Sequence, residues 1–333
     1  MKTTLELKKR IIIGKYNMGK LDKATFLEGH AKNQLQNLEE GSVQTCVTSP
    51  PYWGLRDYSE EDQIGLEPTP EKYVANLVEV FSEVKRVLRE DGTFWLNIGD
   101  SYATDGRKRR SHMGKGKNKG YSAWMDKSQA PGLKEKDLIG VPWRLAFALQ
   151  KDGWYVRNHI IWKKTNPMPE SVKDRFTTSH ESIFLLSKNN QYKFNQIKEP
   201  HKTAPNYEGG ETRGHTTKDG KKWAGQQDQR HGSNINYSEG GKNKRDVWEM
   251  SVASFQEAHF AVFPEQLPKN CIKAGSDEGD VVLDPFSGAA TTGVAALKLG
   301  RKYVGVDLNS DYHDIAKKRI RENDEVPANH DFW

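Results

Sequence analysis

Cysteine is nearly absent. Cys46 and Cys271 are the only two in 333 residues, too few for a disulfide scaffold, and no Cys/His pairing has zinc spacing. No metal site is expected. No run of about 18 or more apolar residues occurs, so no membrane span is expected. The first residues, Met1-Lys2-Thr3-Thr4, lead into charged residues and lack the apolar core of a secretory signal. Together these absences predict a protein of a reducing, cytoplasmic compartment. Apolar residues are also scarce, at 35%, below the usual share for a compact domain. The deficit is concentrated in two polar stretches, residues 101–137 and 198–245. The net charge of +6 is compatible with a polyanionic partner.

The remainder is strongly patterned. Residues 1–22 hold one apolar run, Ile11-Ile12-Ile13, and read as an N-terminal arm. Ala24-Thr25-Phe26-Leu27 reads as a short strand, residues 34–38 as a helical connector and residues 42–47 as a strand. A helix follows that is specified at both ends. Thr69 can cap it, Pro70 suits its first position, and Glu71 complements its dipole. Tyr73, Val74, Leu77, Val80, Phe81, Val84, Val87 and Leu88 make one apolar face, and Asp91-Gly92 is read as its end. Residues 93–98 then read as a buried strand. Strand, helix, strand at this spacing is a βαβ unit, which implies parallel pairing. Residues 142–150 read as a helix, and residues 154–162 and 181–187 as strands close enough for an antiparallel hairpin. A second βαβ unit comprises a strand over 280–286, a helix from Thr291-Thr292 to Gly300, and a strand over 302–307. The expected fold is α/β, a doubly wound, mostly parallel sheet with an antiparallel hairpin.

Two constellations stand at strand ends, where open α/β sheets bind ligands. The first is Thr48-Ser49-Pro50-Pro51-Tyr52-Trp53. The prolines stop the strand, and the aromatics offer a face for a flat ring. The second is Asp284-Pro285-Phe286-Ser287-Gly288, whose small residues allow close backbone approach to a ligand. Asp307 follows Gly288 by 19 residues, the distance at which an acid on the next strand meets ribose hydroxyls. The polar stretch 101–137 holds a basic run, residues 106–119, with seven Lys or Arg. Tyr121 and Trp124 follow it. This composition suits either a solvated loop or a nucleic-acid contact.

Ser49-Pro50-Pro51-Tyr52 resembles the catalytic tetrad of the DNA amino-methyltransferases. Asp284-Pro285-Phe286-Ser287-Gly288 resembles that family's S-adenosylmethionine loop, although the family commonly continues Ser-Gly-Thr-Thr where this chain has Ala289-Ala290-Thr291-Thr292. The segment from Phe260 to Leu267 is similar to the additional cofactor-binding segment. The tetrad precedes the cofactor loop, which is the permuted, β-type order. The resemblance implies a circularly permuted Rossmann-like domain with inserted target-recognition segments. Residues 23–197 form the catalytic part with its basic loop 101–137, residues 198–250 the target-recognition region, and residues 251–333 the cofactor-binding part.

The resemblance also implies roles. Ser49, Pro50, Pro51 and Tyr52 are the catalytic set. Phe263, Asp284, Pro285, Phe286, Gly288, Thr291, Thr292 and Asp307 bind S-adenosylmethionine. Trp53, Arg107, Lys108, Arg109 and Arg110 contact double-stranded DNA, with the target base flipped out of the duplex. His30 stands where the family usually has Asp and is read as a surface-loop residue. Carbon-5 cytosine methyltransferases use a Pro-Cys nucleophile, which is absent, and Cys46 reads as a small buried hydrophobe. Asp57, Asp100 and His180 read as cap or turn residues. The first residue of the tetrad, Ser49, resembles the cytosine-N4 group, with adenine-N6 as the alternative. An RNA methyltransferase and a catalytically silent nucleic-acid-binding module are the remaining rivals. A cognate restriction endonuclease is an expected functional partner.

Overall fold

The computed structural model describes residues 20–55, 60, 62–103, 132–200, 241–252 and 263–323. The chain divides into a larger unit, residues 1–195 with 246–333, and a smaller one, residues 196–245. In the smaller unit two short strands, Lys198–Glu199 and Lys242–Asn243, pair antiparallel.

The larger unit is built on a mixed eight-stranded sheet. Its strands are β1 (Ala24–Glu28), β2 (Val43–Thr48), β3 (Leu88–Ile98), β4 (Tyr155–Lys164), β5 (His180–Ser187), β6 (Val247–Met250), β7 (Val281–Asp284) and β8 (Lys302–Asp307). They lie in the order β1-β8-β7-β2-β3-β5-β4-β6. The first five in that order are parallel to one another, β5 is antiparallel to both β3 and β4, and β6 pairs parallel with β4. β6 has no counterpart in the sequence reading, because four residues are too few to show a period. It places residues 247–250 in the main sheet, although they fall in the stretch read from sequence as 198–250.

The helices are α1 (Ala31–Leu35), α2 (Pro70–Val87), α3 (Val141–Lys151), α4 (Gln266–Gly275), α5 (Thr291–Lys298) and α6 (Ser310–Glu322). Thr69 caps α2 as its sequence predicts, accepting from the Lys72 N–H at 3.2 Å. Tyr73, Leu77, Val80, Phe81, Val84 and Val87 are buried along one stripe of α2, and each contributes on the order of 1.5–3 kcal/mol by leaving water. The helix stops earlier than Asp91-Gly92, because Leu88 already has extended dihedrals. Leu88 pairs with Val43 and Thr93 with Thr45, so residues 89–92 form an irregularity in the ladder. Asp100, just beyond β3, accepts from the N–H groups of Gly140 and Val141 at 3.0 and 3.1 Å. It thereby caps α3, in keeping with its sequence reading.

Helices cover both faces of the sheet. The cluster containing Cys46, Phe94, Leu96 and Ile98 also contains the buried stripes of α1, α2 and α3. On the opposite face, α4 approaches so closely that a Cβ on Gly275 would lie 2.8 Å from Thr45 Oγ1 and 3.0 Å from Trp95 Nε1. Doubly wound packing of this kind puts the ligand crevice where neighbouring strands feed connections in opposite directions. That place is between β2 and β7, which pair through Thr45–Val282 and Cys46–Leu283. The two sequence constellations therefore leave the sheet side by side. Among the described residues, no helix is long and apolar enough to cross a membrane.

Candidate active site

One cavity opens at the carboxyl ends of β2, β7, β8 and β1. Its lining includes Ser49, Pro50, Pro51 and Tyr52, together with Asp284, Pro285, Phe286, Gly288, Thr291, Asp307 and Phe263. Eleven of the sequence-derived site residues thus meet in one place.

Asp284 organises the floor. It is 2% exposed, and its oxygens accept from Thr48 Oγ1 at 2.5 Å, Thr292 Oγ1 at 2.8 Å and the Phe286 N–H at 3.1 Å. This ties the end of β2 to the start of α5 through a single carboxyl group. Burial pushes its pKa up to about 6, against the opposing pull of those three donors. Thr292 is consequently not a cavity residue. It is fully buried, with its hydroxyl against Asp284 and the Val47 carbonyl, which corrects its assignment as a cofactor contact.

The turn after β7 leaves room for a ligand. Gly288 has φ +47°, and a Cβ built there would meet nothing within 4 Å. Asp307 fixes this turn by accepting from the Gly288 N–H at 2.8 Å and from the Asn309 N–H at 3.0 Å. A carboxylate has about four acceptor sites, so Asp307 retains capacity for ribose hydroxyls. Burial raises its pKa. Ala290 takes the left-handed conformation at φ +54° and is fully buried; this is the position where the family pattern and the sequence diverge. With the partly buried rings of Phe263 and Phe286 on the wall, the donor set and the open turn fit a nucleoside bearing free ribose hydroxyls.

The tetrad is held by contacts to neighbouring elements. The Pro51 carbonyl accepts from Tyr73 Oη at 2.7 Å. The Tyr52 ring lies against Gly99, where a Cβ would come within 2.6 Å of Tyr52 Cε2. Tyr52 Oη donates to Glu181 Oε2 at 2.6 Å, and Asn97 Nδ2 lies 3.0 Å from Tyr52 Oη and 2.9 Å from Glu181 Oε2. Burial, then the Glu181 charge, raises the Tyr52 pKa well above the usual phenol value. Asn97 Oδ1 is buried and finds no partner among the described residues. The sequence reading gave no site role to Asn97, or to Glu181, whose segment Ser179-His180-Glu181 also resembles the family. Their elements were legible, but their convergence depends on the pairing of β3 with β5.

Trp53 requires a correction. It is 2% exposed and its indole N–H donates to the Glu67 carbonyl at 2.7 Å, so it belongs to the core and is unavailable to DNA. His30 also differs from its reading as a surface-loop residue. It lines the cavity and caps α1, with Nδ1 accepting from the Lys32 N–H at 3.3 Å. Glu60, Asn309 and Tyr312 are further cavity residues that the sequence reading did not single out; Asn309 Nδ2 donates to Glu60 at 2.9 Å. Arg107, Lys108, Arg109 and Arg110 lie outside the described residues, as does Asp57. Cys46 is buried in β2, where burial raises its thiol pKa, so it offers no nucleophile. Among the described residues no cluster could hold a metal ion.

Comparisons with known proteins show what the whole chain is similar to. The N6/N4 family model described as DNA methylase matches residues 43–318. The type II methyltransferase M.Cfr9I of Citrobacter freundii is 44% identical over 304 residues, covering 91% of this chain and 90% of its own. M.SmaI of Serratia marcescens is 45% identical, with 89% and 90% covered. Among solved structures, PvuII DNA methyltransferase, described as cytosine-N4-specific, matches with a TM-score of 0.57 at 16% identity, over 90% of this chain and 91% of that one. A Thermus thermophilus protein solved with S-adenosyl-L-methionine matches with a TM-score of 0.56 at 23% identity, over 91% and 95%.

Proposed function

The chain belongs to the N6/N4 DNA methylase family, and from that premise we propose that it methylates the exocyclic N4 amine of a cytosine flipped out of duplex DNA. The methyl donor is S-adenosylmethionine, a sulfonium already activated for transfer. The acceptor amine is the harder partner, because it shares its lone pair with the ring. What this chain supplies is therefore positioning and preorganised acceptors.

The observation that carries the proposal is the tetrad lining the same cavity as Asp307 and the Gly288 turn. Ser49 Oγ and the Pro50 carbonyl are the acceptors for the amine hydrogens, and Tyr52 offers its ring face to the base. Asp307 takes the ribose hydroxyls of the donor. Phe263 and Phe286 form the apolar wall, with Pro285, Gly288 and Thr291 shaping the turn. Asp284 acts by holding that turn to β2.

Cytosine is favoured over adenine by a hydroxyl at Ser49. Family members that act on adenine usually have a carboxylate or amide there. The match to a cytosine-N4-specific enzyme supports the fold that presents this group. Type II relatives support a role beside a restriction endonuclease. Residues 198–250 carry target recognition in this proposal, and exchanging them with a relative of different specificity tests it. Single-molecule sequencing of DNA from cells expressing the protein tests the function itself. A modified cytosine at one recurring sequence, lost in Ser49→Ala, is the expected result. Unmodified DNA would reject the proposal.

A further inference from the structure

The hydroxyl of Tyr52 is the middle of a hydrogen-bonded line that leads from the tetrad away from the cavity. Ser49 Oγ donates to Tyr52 Oη at 3.3 Å, and Tyr52 Oη donates to Glu181 Oε2 at 2.6 Å. The other Glu181 oxygen pairs with Lys164 Nζ at 2.6 Å. Asn97 Nδ2 lies between, within 3.0 Å of both Tyr52 Oη and Glu181 Oε2. Lysine and the amide nitrogen are donors only. The carboxylate is thus the acceptor at the end of the line, and each hydroxyl proton points towards it. Four elements supply this line: the loop after β2, and β3, β5 and β4.

We propose that Ser49, Tyr52 and Glu181 form the route by which the methylated amine loses its surplus proton. The amine nitrogen forms a bond to the methyl carbon, and the carbon–sulfur bond breaks with its electron pair passing to sulfur. The nitrogen then carries a positive charge and one proton too many. That proton moves to Ser49 Oγ, the Ser49 proton moves to Tyr52 Oη, and the Tyr52 proton moves to Glu181 Oε2. Glu181 ends as a neutral carboxylic acid and returns its proton to water before the next turnover. An amine that has given its lone pair to a methyl group, on an electron-poor ring, is a strong acid, so a carboxylate is basic enough to receive it. The phenol stays neutral because burial and the Glu181 charge both oppose its ionisation. It therefore hands a proton on without storing charge. Among the described residues, the charged and titratable groups against Glu181 are Lys164 from β4 and Tyr52, while β3 contributes the neutral Asn97. Its own strand places His180 next to it.

Glu181 touches neither substrate nor donor and acts through Tyr52, so the test must separate proton removal from support of the fold. Methyl-labelled donor and duplex DNA are mixed in single turnovers with wild type, Glu181→Gln, Tyr52→Phe and the double variant. Label on DNA is counted whichever base carries it, so the outcome is independent of the cytosine assignment; absence of label with wild type would reject methyl transfer itself. Expected is a loss of about 10²-fold in rate for each single variant, the scale of general-base catalysis. Donor and duplex affinities should be unchanged, and the double variant no slower than either single one. A wild-type rate in either single variant would overturn the proposal. So would a double variant much slower than either single one, or a rate loss matched by equal loss of donor and duplex binding.

Discussion

Asp284 is ionisable, fully enclosed and placed where β2, β7 and α5 meet, so it should make stability depend on pH in a direction opposite to most carboxylates. Its pKa in the folded chain is raised from 3.8 to about 6 by burial, despite donors from Thr48, Thr292 and the Phe286 N–H. The folded state therefore holds this proton more tightly than the unfolded state. The favourable contribution is complete below 3.8 and is lost as pH rises through about 6. At 1.36 kcal/mol per unit, that interval amounts to about 3 kcal/mol. Asp284→Asn keeps the shape and does not ionise. Its Oδ1 can accept from Thr48 and the Phe286 N–H, and its Nδ2 can donate to Thr292 Oγ1. Urea unfolding of the donor-free protein, extrapolated linearly, should be run for both proteins between about pH 4 and about pH 7.5. Wild type should lose about 2.4 kcal/mol of this relative to Asp284→Asn over that range. Subtracting the two curves removes the contribution of other groups, including Asp307. A difference that stays flat across the range would refute the account of Asp284 as a carboxyl group desolvated within the fold.

Gly99→Ala would put a Cβ within 2.6 Å of Tyr52 Cε2, and overpacking of this kind costs about 1–3 kcal/mol. The shifted ring should lower kcat by about tenfold or more while donor affinity holds; unchanged kcat in steady-state assays would disprove the packing argument. Asp307→Ala should weaken S-adenosylmethionine binding by about 1–3 kcal/mol, the scale of a lost charged hydrogen bond, and calorimetry on a folded variant with full affinity would remove Asp307 from the site. Replacing Arg107, Lys108, Arg109 and Arg110 together should weaken cognate and random duplex binding alike. It should also flatten the log–log salt dependence by about 0.9 for each phosphate that these side chains neutralise, and an unaltered slope would leave the stretch without a role in binding.

Most of the parallel core was legible in the sequence, wherever a helix or strand carries its own period. α2 shows this best, with a cap at Thr69, Pro70 in its first turn and a stripe from Tyr73 to Val87 that is buried as expected. The cavity was legible for a related reason. Both motifs directly follow a strand, and strands β2 and β7 are neighbours. What sequence could not convey was the direction of individual side chains within those motifs. Tyr52 and Trp53 are adjacent aromatics, yet the turn sends Tyr52 to the cavity and Trp53 into the core against Glu67. Thr291 and Thr292 divide in the same way across the first turn of α5, one facing the cavity and one Asp284. The Glu181 cluster was hidden more deeply. Tyr52, Asn97, Lys164 and Glu181 become neighbours only through the antiparallel pairing of β5 with β3 and β4, and no local period records such pairings. α6 was missed although Asn309 caps it, because it is markedly polar and its buried residues are only His313, Ala316 and Ile320.

The identity of the methylated atom is the central claim, and nucleoside mass spectrometry reads it directly. Duplex DNA containing diverse sequence is incubated with the protein and S-adenosylmethionine, digested to deoxynucleosides and analysed beside a Ser49→Ala control. N4-methyl-2′-deoxycytidine in the wild-type digest, absent from the control, is the predicted result. N6-methyl-2′-deoxyadenosine without N4-methyl-2′-deoxycytidine would contradict it.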